Sequence, residues 1–525
     1  MSARVGGPIA GRGRLSGERF FLPAEVRGEL ISRSPVDSDD VVGSFPFGVE
    51  DLQEAVVAAA RAARPWGQEP VAVRVRALTA LRTELARAAA DLTLCLVRET
   101  GRPSWECQRE VQGLIGRLDQ HCGIAESVLA DRAPEGLPGR VRSLPLGVVA
   151  VISPAMLPLA TAHTHLIAAL LAGNSVVWKP SPLCPAAAQR YAEIVFRAGL
   201  PAGVFNMIQG DDAVGFELAT HPQVDGIVFT GRSANGHRLR RALCDRYDVQ
   251  LVLHLSAKNA AIVLEDADLP SAAYEVATSA MLSSGQRCTA TSRVLVHEAV
   301  LPEFSDLLLS TLDTLRVGPP VLAGSAGLPP GQPEPFMGPL LSLARMEAFL
   351  SDVAQATAQG AEALRPSQRL PGSRSRGAFV GPSLHLVRQR QPGSAYQRDE
   401  LLGPDLALYP VVDIDDALQL CDGGPYGLCA SLFTASPLRW KRFSEEVRAG
   451  SLFWNRGTAA PSGRLPFGGV KFSGHGGRGG ADALLALRRD VSLLGRQRET
   501  PERLPGTDPI PAANSHRREE SEGSP

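Results

Sequence analysis

Cys288 is the side chain whose setting most plainly offers chemistry. It stands in Ser-Ser-Gly-Gln-Arg-Cys-Thr-Ala at 283–290, where small polar neighbours keep a thiol accessible and Arg287 favours its ionised form. A thiolate there is fit to attack an electrophilic carbon and carry a covalent intermediate. A buried, inert thiol is the commoner fate of a single cysteine, so the local run leaves both readings open. The other seven cysteines, at 95, 107, 122, 184, 244, 421 and 429, form no Cys-x-x-Cys pair and no cluster with histidine at metal-site spacing. Only four of the 54 basic residues are lysines, namely Lys179, Lys258, Lys441 and Lys471. In so arginine-biased a chain, each retained lysine is a candidate for a specific role. Taken singly, Lys179 and Glu400 fit a surface ion pair equally well.

The elements that must position these residues follow from hydrophobic periodicity. Apolar spacing of three and four over 50–64 and 70–98 predicts amphipathic helices. Short apolar, β-branched runs at 147–154, 174–181, 203–210 and 224–231 predict buried strands. Between them, 161–173 and 185–199 read as helices, the second with Pro185 at its start and Gly199 at its end. Strand and helix in alternation specify an α/β fold with a parallel sheet and crossover helices. A second alternating region runs from about 258 to 456, interrupted by a surface loop at 364–378. Residues 1–17 are Gly- and Arg-rich and read as a mobile arm, and 498–525 as a disordered tail. No internal repeat is visible.

Composition narrows the class. The chain has 525 residues, too many for one ordinary core, so two or three domains are expected. Fifty-four basic against 55 acidic side chains leave a net charge of −1, with no field of one sign to draw nucleic acid or an anionic membrane. No window reaches 18 apolar residues, and the N-terminus lacks the apolar core of a secretory signal. Eight cysteines are too few for a disulfide scaffold. The expectation is a cytoplasmic protein with reduced thiols.

Ten segments in one order carry a more specific signal. They are ETGRP (99–103), PLGVVAVISP (145–154), LLAGNSVVWKPS (170–181), GLPAGVFNMIQG (199–210), VFTGRSANG (228–236), GQRCTA (285–290), DELLGP (399–404), YGLCASLFT (426–434), RAGSLFWN (448–455) and LPFGGVKFSG (465–474). In that order and spacing the chain resembles the aldehyde dehydrogenase superfamily from about residue 20 to 497, nearest to the succinylglutamate semialdehyde dehydrogenase branch. The resemblance implies an α/β fold with a Rossmann-type cofactor domain (20–136 and 146–254), an α/β catalytic domain (255–480) and a small β oligomerisation element (137–145 and 488–497). An arm at 1–19, the tail at 498–525 and a homodimer or homotetramer complete the picture. It further implies a small-molecule aldehyde substrate, NAD or NADP as cofactor, no metal, and a covalent thioester on Cys288. Lys179 matches the residue that holds the adenosine ribose, and Glu400 the one that holds the nicotinamide ribose. Gly231 lies where the pyrophosphate meets a helix N-terminus. Ile152, Ser153, Ser181, Gly210, Phe229, Leu255 and Leu402 complete the expected cofactor pocket, and Phe467 and Asn455 the expected substrate site.

Four positions depart from that pattern. Met156 replaces the asparagine that donates to the oxyanion, and His254 replaces the carboxylate base. Imidazole can itself act as a base near neutral pH. Pro182 replaces the acid three residues after Lys179, which lifts the exclusion of a 2′-phosphate and admits NADP. Arg232 replaces the serine after Gly231 and either clamps phosphate, points to solvent or fills an empty site. Three readings stay open: an aldehyde-oxidising enzyme with an altered site, a variant that passes the acyl group to an external thiol such as coenzyme A, and a catalytically impaired homologue kept as a binding or scaffold protein.

Overall fold

Short runs of β-branched residues become strands buried on both faces, and these set the architecture. In the computed structural model, residues 9–494 are described apart from 11, 17–18, 137–138, 322–332, 392 and 460, together with 505–506. The first sheet contains β1 (Val148–Ile152), β2 (Ser175–Lys179), β3 (Phe205–Ile208), β4 (Gly226–Thr230) and β5 (Gln250–His254). Every residue of β1, β2 and β3 is buried, as strands covered by helices on both faces must be. The five are parallel, in the order β5-β4-β1-β2-β3. Chain direction across the sheet reverses between β1 and β4, which opens a crevice beyond the carboxyl ends of these strands. Helix α1 (Ser104–Leu129) precedes the sheet. Helices α2 (Pro158–Leu171), α3 (Pro185–Arg197), α4 (Asp212–Thr220) and α5 (Ser233–Ala242) cross between successive strands.

The second sheet has β6 (Asn259–Val263), β7 (Thr291–His297), β8 (Glu362–Arg365), β9 (Ser383–Leu386), β10 (Asp405–Val411), β11 (Cys429–Phe433) and β12 (Ser451–Trp454). Its order is β8-β9-β10-β7-β6-β11-β12, and only the β8–β9 pair is antiparallel. The register slips between Asn259 and Ala260, opposite Thr291 and Arg293. Such an irregularity re-aims side chains locally, and here it falls three residues after Cys288.

Three expectations about boundaries need correction. Gly474–His475, inside the expected catalytic block of 255–480, pairs antiparallel with β5, so that block reaches back into the first sheet. Arg14–Ser16, inside the expected mobile arm, pairs antiparallel with β3. The stretch expected as a loop from 364 begins within β8. Each segment supplies backbone donors to a sheet edge, which no reading of its polar composition reveals. Gly139–Pro145 pairs antiparallel with Arg488–Leu494 in a two-stranded ribbon. Apart from 505–506, the expected tail at 498–525 lies outside the described residues. No helix among the described residues is long and apolar enough to cross a membrane.

Candidate active site

Cys288 is presented by a loop held in an unfavourable conformation. After helix α6 (Leu269–Met281) the chain passes through Ser283, Ser284 and Gly285 at φ +51°, +56° and +70°. A Cβ at Gly285 would lie 2.1 Å from the Gly403 carbonyl oxygen, so glycine alone fits there. The two serines carry strain that their surroundings offset. The Ser283 hydroxyl donates to the Glu106 carboxylate, and the Ser284 hydroxyl to the Gly338 carbonyl at 2.8 Å. Gln286 donates to the Ser283 carbonyl at 3.1 Å and accepts from Leu341 N–H at 3.0 Å. Asn259, at the strand irregularity, donates to the carbonyls of Cys288 at 2.7 Å and Ala290 at 2.9 Å. Its own carbonyl accepts from Cys429 N–H at 3.0 Å.

Arg287 does not serve the thiol in the way its sequence position suggests. Its guanidinium donates to Glu106 of α1 at 2.5 Å and to Ser283 Oγ at 2.9 Å. The charge that would favour a thiolate is taken up by a carboxylate. Burial, and then the charge of Glu400, push the Cys288 thiol up to about 12. In the free protein at neutral pH the sulfur is therefore protonated.

Half-buried Cys288 lines a cleft of about 270 Å³ with Met156, His254, Glu400 and Phe467. Met156 belongs to the turn before α2, next to Leu157 at φ +46°. Its thioether offers no donor. His254 ends β5, is 7% exposed, and among the described residues has no hydrogen-bond partner at either ring nitrogen. Its ring stacks on His165 of α2, with centroids 4.9 Å apart and planes at 29°. Gly479 admits this pair, since a Cβ there would lie 3.2 Å from the His165 ring. Burial draws His254 down to about 4. His165 is lowered further, first by burial and then by His254, His121 and Arg117. Both imidazoles are neutral at pH 7.

Most of the other predicted residues gather at the carboxyl edge of the first sheet; Leu402 and Asn455 lie in the second half of the chain away from it. Ile152 ends β1 and Ser153 follows it, its hydroxyl accepting from Trp178 Nε1 at 2.9 Å. Lys179 ends β2 and is 2% exposed, with Nζ donating to the Pro180 carbonyl at 3.0 Å. Burial lowers its amine to about 8, and Asp212 and Asp211 pull it back up. Ser181 Oγ accepts from Leu183 N–H at 3.2 Å. Gly210 lies beyond β3, and Phe229 in β4 precedes Gly231, where a Cβ would meet the Phe229 ring at 2.6 Å. Leu255 packs on Gly236 of α5 and lines the cleft. Leu402, at φ +56°, lines a smaller recess with Cys288 and Glu400. Arg232 is exposed at the start of α5, close enough to act on Glu400 and on Arg345. Among the described residues Glu400 Oε1 is buried without a partner, so it holds a free acceptor for a hydroxyl.

Asn455 stands apart. Its amide is tied to Thr434 N–H at 3.0 Å and Thr434 O at 3.1 Å. It clasps two strand ends and does not line the cleft. Four residues missed in the sequence belong to the candidate site: His165 and Arg117 in the wall, and Glu106 and Asn259 behind Cys288. The pair of histidines in the largely apolar helix read over 161–173 is the one signal that points to His165. Nothing local marks Glu106, which acts across 181 residues of sequence.

The sequence profile of the aldehyde dehydrogenase family matches residues 23–489. Among curated proteins, the chain is 31% identical over 458 residues to the N-succinylglutamate 5-semialdehyde dehydrogenase of Novosphingobium aromaticivorans, covering 86% of this chain and 92% of that one. It is 33% identical over 457 residues to the protein of the same name from Vibrio cholerae, covering 85% and 90%. Among solved structures, a Mycobacterium tuberculosis aldehyde dehydrogenase complexed with NAD+ superposes with a TM-score of 0.86 at 27% identity, covering 94% of this chain and all of that one. A 1-pyrroline-5-carboxylate dehydrogenase from Thermus with bound NAD superposes at 0.83 and 25% identity, covering 92% of each chain.

Proposed function

We infer, from the premise that the chain belongs to the aldehyde dehydrogenase family, that it oxidises an aldehyde to a carboxylic acid with NAD or NADP as hydride acceptor. The observation that carries this reading is the meeting of Cys288 and Glu400 in one cleft beside the carboxyl edge of the first sheet. The residues at that edge fit a dinucleotide. Glu400 Oε1 is an unfilled buried acceptor for ribose hydroxyls, Lys179 is a buried donor that forms no ion pair among the described residues, and α5 turns its N-terminus toward the crevice. Pro182 supplies no acid to repel a 2′-phosphate, which supports NADP as well as NAD.

The chain's residues have these roles. Cys288 Sγ bonds to the carbonyl carbon while its proton passes to the oxygen, forming a thiohemiacetal. The Cys288 backbone N–H steadies the developing oxyanion without help from Met156. A dinucleotide held by Lys179 and Glu400 would supply the hydride acceptor; as hydride leaves this carbon the hydroxyl proton is released to solvent, and a thioester remains on Cys288. Neutral His254 then takes a proton from water, whose oxygen adds to the thioester carbon. The C–S bond breaks, the acid leaves, and Sγ recovers its proton. At about 4, His254 has nearly the proton affinity of an ordinary carboxylate, about 4.3, so it replaces a glutamate in strength while staying uncharged. The names of the two curated relatives support an amino-acid-derived semialdehyde as substrate. We place the protein in the cytoplasm as a homodimer or homotetramer joined through the ribbon, a state that light scattering measures directly.

A second reading, a catalytically impaired homologue serving as a scaffold, is favoured by a cleft that offers no donor at Met156 and a protonated Cys288. Calorimetric titration with NAD and NADP, followed by turnover of a semialdehyde panel, decides between them. Failure of both dinucleotides to bind at millimolar concentration ends the oxidation reading.

A further inference from the structure

We propose that His165 of α2 is the positioning residue for His254, holding its ring by stacking so that an imidazole without a hydrogen bond still activates water. This rests on the thioester-hydrolysing role given to His254 above and adds the residue that aims it. An imidazole base is ordinarily aimed by a hydrogen bond from its second nitrogen to a carboxylate or a carbonyl. Among the described residues neither nitrogen of His254 has such a partner. Its backbone is fixed, since the carbonyl accepts from Gly231 N–H at 3.0 Å, but nothing polar fixes the ring.

Two surfaces do. The His165 ring lies 4.9 Å away, centroid to centroid, with the planes at 29°, inside the range of offset stacking. A Cβ at Gly479 would lie 3.2 Å from His165 Cε1 and 3.6 Å from His254 Cε1, so both rings set the same edge against one bare stretch of backbone. His165 is 6% exposed and stands in the middle of α2, which makes it a rigid support. His163, two residues earlier, turns the other way and meets Tyr191 Oη at 2.7 Å, so the two histidines of α2 serve opposite faces. The groups whose charge acts on His165 are His254 itself and, from α1, His121 and Arg117. None is an acid, and burial comes first in lowering its proton affinity, so the supporting ring stays neutral while His254 takes a proton from water. The imidazolium then lies against an uncharged aromatic face, which favours the charge formed in that step. A stack also leaves both nitrogens of His254 free, whereas a carboxylate partner would occupy one and strengthen the base.

The test separates aim from base strength. Cys288 of the full-length protein is acetylated with a small activated ester, and loss of the acetyl group is followed by mass spectrometry between about pH 4 and pH 8. In parallel, NMR of histidine labelled with carbon-13 at Cε1 reports the titration of His254, with His254→Gln assigning its signal. His165→Phe keeps an aromatic face and is expected to hydrolyse the thioester within about 3-fold of the unmodified rate, with the same acid limb. His165→Leu is expected to be about 10- to 100-fold slower, although its His254 titrates closer to the ordinary value of about 6.5 and is the stronger base. A slower reaction from a stronger base marks lost aim. The proposal is overturned if His165→Leu keeps the original rate and acid limb, or if His165→Phe is as slow as His165→Leu is expected to be. If His165→Leu does not fold, His165→Phe decides alone by the same limits. Failure of Cys288 to take up any acyl group refutes the thioester reading. The titration of His254 then decides the support by itself, and an unchanged titration in His165→Leu overturns it.

Discussion

Behind the nucleophile, Ser283, Ser284, Gln286, Arg287 and Asn259 all have named partners, whereas across the cleft both ring nitrogens of His254 have none. The two walls answer different needs. A loop with three consecutive positive-φ residues keeps its shape only if its neighbours over-determine it, so the nucleophile wall spends its polar groups on itself. The facing wall leaves the imidazole nitrogens of His254 unfilled among the described residues, as a surface that meets a changing substrate does. Rigidity belongs to the loop that carries Cys288; unsatisfied polarity lies around it, at both His254 nitrogens, at Glu400 Oε1 and at Glu106 Oε2.

The largest effect expected from breaking this contrast is at Cys288 itself. Cys288→Ser lowers the steady-state rate by at least about 10⁴-fold, while dinucleotide affinity by calorimetry stays within about 2-fold. Residual turnover close to that of the unmodified protein sinks the thioester route. Met156→Asn supplies the missing donor and raises kcat by about 10- to 100-fold, somewhat less than the loss such a donor causes elsewhere. An unchanged kcat in that variant means that the facing wall does not limit the reaction.

Glu106→Ala attacks the nucleophile wall from behind. It leaves Arg287 without its carboxylate, so stability falls by about 3 kcal/mol in denaturant titration. Iodoacetamide labelling of Cys288 then rises, because Arg287 is free to favour the thiolate. Labelling at the original rate contradicts the positioning role of Glu106.

The smallest expected effect is a pH dependence of stability. His254 is held at about 4 against an ordinary value near 6.5, so below pH 6.5 the unfolded chain binds a proton that the folded protein refuses. Stability is full above pH 6.5 and declines as pH falls toward 4, and His163, drawn down to about 3 by burial, adds to the same slope. Tm is expected to drop by about 5 °C between pH 7 and pH 5, and by less in His254→Gln. A Tm that is flat over that range shows that the pair is not buried in its neutral form.

Local pattern was enough for the scaffold. The β-branched runs became the strands expected of them, and Lys179 and Gly231 lie at or just beyond strand ends because short buried strands are legible from composition and turn residues. The site was less legible. Asn455 lies in a recognisable motif yet turns its amide to Thr434, a choice made by the φ of +51° at that residue.

By itself, the sequence determined the α/β alternation, marked Cys288 as the candidate nucleophile, and put Met156 and His254 where the family resemblance expects a donor and a carboxylate. These depend on residue type and near-neighbour spacing. Only the tertiary structure decided that Arg287 is spent on Glu106, that His254 lies against His165, and that Arg117 is fixed to Thr164. Each of those facts depends on which side chains become neighbours across α1, α2, β5 and the nucleophile loop, and on the burial that fixes their protonation.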